Sequence, residues 1–158
     1  MTPVSDRDEL LSRLQESRDE LLSAIRGLPE DKLTALLASD WSVKDIMGHI
    51  ASWDEFSAGD LRRIARGRLP CLAAFREGEV DDWNAFLMRP RRLFPLPQIR
   101  AEFEEARAEM MAALKDLPEP LLARGTMVRN IVAVFANHEK DHARQVREWR
   151  EREGSSSS

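Results

Sequence analysis

The sequence predicts an all-α four-helix bundle with a long crossover between the second and third helices. Three observations predict it: four long stretches repeat apolar residues at helical spacing, capping or stop signals bound them, and no stretch alternates as a strand does. Ser5 or Asp6 caps the first segment, which aligns Leu10, Leu14, Leu21 and Ile25 on one stripe with Leu11 and Leu22 beside it. Gly27 before Leu28-Pro29 ends it, and Pro29 to Asp40 reads as a connector with room for a short helical turn. In the second segment Ser42 can cap, and Asp45 suits the positive end of the helix dipole. Val43, Ile46, Ile50, Trp53, Ser57, Leu61 and Ile64 share a face, and Gly67 closes the segment after Arg62, Arg63 and Arg66.

Residues 68–95 form the crossover, punctuated by Pro70, Gly78, Pro90 and Pro95, with a short helix predicted over Val80 to Leu87. The third segment starts near Pro97, a residue suited to a first turn, and carries Ile99, Phe103, Ala106, Met110, Leu114 and Leu117 before Pro118 and Pro120 stop it. The fourth runs from about Met127 to Glu153. Four helices with one apolar stripe each must bury those stripes against one another. The predicted organisation is one domain over residues 1–153 and a disordered Ser-rich tail over 154–158.

Composition narrows the function. Lys and Arg number 24 against 28 Asp and Glu, a net charge of −4, which lacks the basic balance expected of a phosphate-binding module. The expectation is therefore no nucleic-acid partner. No apolar run approaches the ~20 residues of a bilayer span, and the acidic, amphipathic N-terminus does not read as a signal peptide, so a cytoplasmic protein without membrane contact is expected. A single cysteine, Cys71, excludes an internal disulfide framework.

The three histidines carry most of the functional information. Ile131, Phe135, His138, His142 and Trp149 fall within an arc of about 60° on the fourth segment, so His138 and His142 sit one turn apart in its apolar stripe. Such a pair can converge on one ion. His49 lies near the apolar face of the second segment, among Ile46, Ile50 and Trp53. Core histidines bonded to backbone carbonyls are the plain alternative; a shared divalent ion would give all three buried rings a partner at once. Asp45, one turn before His49, and Glu139, beside His138, are the candidate catalytic carboxylates, as fourth ligand, orienter or base, against an ordinary salt-bridging role. His138-Glu139-Lys140-Asp141-His142 matches the H-E-x-x-H protease pattern literally, but the helix continues past it without a third ligand and no strand exists to hold a peptide. Arg89, Arg91 and Arg92 can bind carboxylates or form a solvated face, and Cys71 has no histidine left to activate it.

The run Trp41-Ser42-Val43-Lys44-Asp45-Ile46-x-x-His49-Ile50-x-x-Trp53, the stretch Asp82-Trp83-Asn84-Ala85, and His138-x-x-x-His142 followed by an Arg- and Trp-rich helix resemble the DinB superfamily, and within it are most similar to the DfsB/ClbS-like four-helix-bundle branch. The likeness spans residues 5–152. It implies a metal site of His49, His138 and His142 holding a divalent ion, with zinc or nickel expected. It also implies a small-molecule substrate, with or without a low-molecular-weight thiol such as bacillithiol, mycothiol or glutathione, and a homodimer. Two functions follow: thiol transfer to, or hydrolysis of, a small electrophile in detoxification, or a non-enzymatic ligand- or partner-binding bundle with a structural metal.

Overall fold

The computed structural model describes residues 2–156. α1 (Asp6–Ile25) starts where Ser5 accepts a hydrogen bond from the Asp8 amide. α2 (Glu30–Thr34) is the short turn in the first connector, and α3 (Val43–Ala65) opens on a capping box between Ser42 and Asp45. A 3₁₀ turn (Cys71–Ala74) and α4 (Glu79–Arg91) occupy the crossover, followed by α5 (Leu96–Lys115), a second 3₁₀ turn (Glu119–Leu122) and α6 (Met127–Ser156). Among the described residues there is no strand, only an isolated bridge between Leu36 and Ser42.

Two boundaries differ from expectation. The crossover helix is longer than Val80 to Leu87 and takes in Pro90, which lies next to its last residue. Gly154 does not end the last helix: the Ser155 and Ser156 hydroxyls bond the carbonyls of Glu151 and Arg152, and helix continues through Ser156. The expected tail is thus helical over residues 154–156, and residues 157–158 lie outside the described part.

The pairing of side chains fixes the topology. Along α1 and α6, Glu9 meets Arg129, Arg18 meets Glu139, and Arg150 bonds the Ala24 carbonyl, so these helices run parallel. Asp54 with Arg107 and Arg62 with Glu109 make α3 and α5 parallel too. α1 and α5 are antiparallel, with Arg7 on the Leu117 carbonyl and Arg18 on that of Phe103, as are α3 and α6. Two parallel helices that follow one another need a connection as long as the bundle, about 35 Å for a helix the length of α3. That is the physical reason for the crossover.

A charged layer divides the core. Arg18, Asp54, Arg107 and Glu139, one from each long helix, are buried between an apolar cluster around Leu14, Leu61 and Met110 and another around Leu21, Ile46 and Phe103. Arg18 bridges Glu139 Oε1 at 2.6 Å and Asp54 Oδ2 at 3.0 Å, with its guanidinium 3.6 Å above the Phe103 ring. Arg107 bridges Asp54 through two nitrogens and reaches Glu139 Oε2 at 2.7 Å. The remaining donors reach the Leu14 and Phe103 carbonyls, and Ser17 adds a bond to Glu139. The layer is neutral, and both carboxylates are multiply bonded, the condition for burying charge. Sequence reasoning missed it. The signal was there: each of the four residues lies four positions after a buried stripe residue, Leu14, Ile50, Phe103 and Phe135.

Candidate metal centre

The capping box that starts α3 sets the first turn rigidly and leaves Trp41 immediately before it. Further along, His49 points from α3 towards α6 and is 3% exposed, whereas His138 and His142 are half-buried. His138 Nε2 stands 3.1 Å from His49 Nε2 and 3.0 Å from His142 Nε2. One ligand atom from each of the three imidazoles lies within 4.8 Å of the others. A tetrahedral ion with Zn–N bonds near 2.0–2.1 Å separates its nitrogens by about 3.3 Å, so the two His138 distances need to open by a few tenths of an ångström, and rotation of the His49 and His142 rings has to bring their nitrogens together from as much as 4.8 Å.

The surroundings suit neutral imidazoles. His142 Nδ1 is 3.0 Å from Gln145 Oε1, which fixes the proton on Nδ1 and leaves Nε2 as a donor to an ion. Trp41 packs edge-on against His49, with centroids 4.8 Å apart, and lies parallel to His142. Burial, reinforced by the neighbouring imidazoles, depresses His49 to about 3. Burial first and His142 second depress His138 to about 4, and burial lowers His142. Ring nitrogens that stay unprotonated through the physiological range are ready to coordinate.

A pH dependence follows. The unfolded imidazoles titrate near 6.5, the folded ones lower, so below about pH 6.5 the unfolded chain binds more protons. The stability contributed by the neutral rings is complete above that value and is lost as pH falls towards 4. The metal-free protein is expected to show a lower urea midpoint at pH 5 than at pH 7.5, a window above the ordinary carboxylate range, in which the Asp54 and Glu55 carboxyls, pushed up by burial, work in the opposite direction to the imidazoles. An unchanged or higher midpoint at pH 5 would contradict it.

The two candidate catalytic carboxylates are placed elsewhere. Asp45 Oδ2 accepts from the Ser42 amide and hydroxyl, so this carboxylate caps α3. Glu139 turns about 100° away from His138 around the helix, into the charged layer, where both its oxygens are engaged by Arg18, Arg107 and Ser17. Among the described residues neither carboxylate is bonded to an imidazole. Trp53 is core and donates to Asn84 Oδ1 at 2.6 Å, tying α4 to the bundle; Trp83 is half-buried and Phe86 exposed. Cys71 is exposed. Trp41 and Gln145 are the site neighbours that sequence reasoning left without a role; Gln145 lies three residues after His142, within reach of its ring.

A family model described as the DinB superfamily matches residues 13–146. The chain belongs to the DinB superfamily. No curated protein sequence matches it. Among solved structures, this DinB chain is similar to an uncharacterised protein from Escherichia coli UTI89, with 13% identity, a TM-score of 0.78, and coverage of 97% of this chain and 96% of that one. It is also similar to the colibactin self-resistance protein ClbS in complex with a dsDNA, with 14% identity, a TM-score of 0.77, and coverage of 95% and 98%. Likeness at this identity shows a shared fold. It also corrects one expectation: a protein of this architecture is solved on dsDNA, so the net charge of −4 is no ground for excluding a nucleic-acid partner. Among the described residues no helix is long and apolar enough to cross a membrane.

Proposed function

We propose that this chain is a divalent-metal enzyme in which His49, His138 and His142 hold zinc or nickel, and that it modifies a small electrophile by thiol transfer or hydrolysis as a detoxification reaction. The observation that carries this reading is the convergence of three imidazole nitrogens from two helices at a half-buried point. Three neutral nitrogen donors leave a coordination position open, as reactive rather than structural sites do. An ion held there supplies a Lewis acid and lowers the pKa of a coordinated water or thiol. Gln145 holds the His142 tautomer, and Trp41 walls the histidines on the side of His49 and His142. A self-resistance protein with the same fold supports detoxification as the role.

Elemental analysis of the purified protein, followed by turnover assays with electrophiles in the presence and absence of small thiols, tests the reading. About one equivalent of zinc or nickel and a metal-dependent turnover are expected; a protein that binds neither ion would overturn it. Gln145→Leu is expected to weaken zinc affinity by about 10–100-fold with little change in melting temperature, because the partner that orients His142 is gone. A competition titration with a chromogenic chelator reads this directly.

A second reading rests on the placement of the histidines on both α3 and α6: an ion there would tie the two helices and serve stability alone. Chelation that lowers the melting temperature, with no turnover of any electrophile, would favour it.

A further inference from the structure

A groove of about 660 Å³ lies between Trp41 and α4; no histidine lines it, and Trp41 is what joins it to the three-histidine cluster. Its wall on the α3 side is Trp41, the same indole that packs on His49 and His142. Met88 and Leu93 supply apolar lining, and Arg89 and Arg92 bring guanidinium groups. The three arginines at this end of α4 differ. Arg91 is held by Glu55 and Glu102, while among the described residues no carboxylate pairs with the side chain of Arg89 or Arg92. Lys44 adds a third cation by bonding the Arg92 carbonyl at 3.1 Å. An acidic protein thus presents unneutralised cations along one apolar-floored groove that shares a wall with its histidine centre.

We infer that this groove binds a small aromatic carboxylate, the carboxylate on Arg89 and Arg92 and the ring along Trp41 and Met88. The inference rests on the metal-enzyme reading for its meaning, since it names the substrate class of that site as an organic anion, but the binding itself needs no ion. Guanidinium groups match a carboxylate in a two-point geometry, and an indole face accepts a flat ring. The lining also contains Asp81, whose charge opposes a continuous run of phosphates, so the concave shape and mixed lining favour a small anion over a nucleic-acid backbone.

The full chain, metal-free and zinc-loaded, is titrated with 2-naphthoate while the Trp41 indole N–H is followed by NMR. The matched cation 2-naphthylmethylammonium and a short duplex DNA are titrated in parallel. A saturable Trp41 shift with 2-naphthoate alone is expected, with affinity falling about tenfold or more in Arg89→Gln/Arg92→Gln, which removes both guanidinium partners of the carboxylate. Zinc affinity of that double variant is expected to match the parent. Absence of a saturable shift, equal binding of the ammonium probe, or naphthoate affinity unchanged by the double substitution would each overturn the inference. So would duplex DNA that binds more tightly with the same arginine dependence, which would make the face a phosphate surface. Naphthoate binding in a protein that takes up neither zinc nor nickel would sink the metal-enzyme reading and leave the groove standing.

Discussion

Glu139→Ala is expected to cost about 3–5 kcal/mol of folding stability, the largest single-residue effect outside the apolar core. The carboxylate is 1% exposed and receives Arg18, Arg107 and Ser17; its removal leaves two buried guanidinium groups sharing Asp54 alone. Asp54→Ala is expected to fall in the same range for the mirror reason. Urea denaturation with a two-state fit reads both. The informative companion replaces all four members together, Arg18→Met, Asp54→Leu, Arg107→Met and Glu139→Leu. That variant is expected to be about as stable as the parent or up to about 4 kcal/mol more stable, because the expense lies in orphaned charge and not in the absence of the layer. If Glu139→Ala lost less than about 1 kcal/mol, the buried ionic layer described here would be wrong.

His138→Ala carries the second large effect. His138 is the middle nitrogen of the three, 3.1 Å from one partner and 3.0 Å from the other, and its loss leaves two donors on different helices. Zinc affinity is expected to fall by more than about a hundredfold, beyond the range seen when only an outer partner is removed. His49→Ala and His142→Ala are expected to behave alike. Folding of the metal-free chain should survive His138→Ala, since the side chain is half-buried and belongs to neither apolar cluster. Full metal content in any of the three variants would break the site.

Much of this architecture was legible because its determinants are local. The Ser5 and Ser42 caps, the apolar stripes and the proline stops each act within a few residues, and the expected elements appear with small shifts at their ends. The pairing of His138 with His142 was legible for the same reason: one helical turn brings them together. What sequence reasoning lost is what depends on the neighbouring helix. Arg18 on its stripe looks like an interruption until Glu139 and Asp54 arrive from two other helices. Glu139 looks catalytic by adjacency to His138, yet one position along a helix turns it towards α1 and α5. Asp45 satisfied two expectations, dipole partner and site carboxylate, and the capping box took it. Parallel pairing of α3 with α5 is likewise a property of the assembled bundle that no single segment encodes.

The partnership of the first long helix with the last has a bearing on biogenesis. A ribosome releases α1, α3 and α5 well before α6, so the early helices must wait, with the stripe of α1 and its Arg18 lacking their final cover. His49 likewise waits for its two companions, the first of which follows it by 89 residues. Uptake of an ion by all three imidazoles therefore requires synthesis through residue 142, and a nascent chain stalled before residue 138 would offer His49 alone.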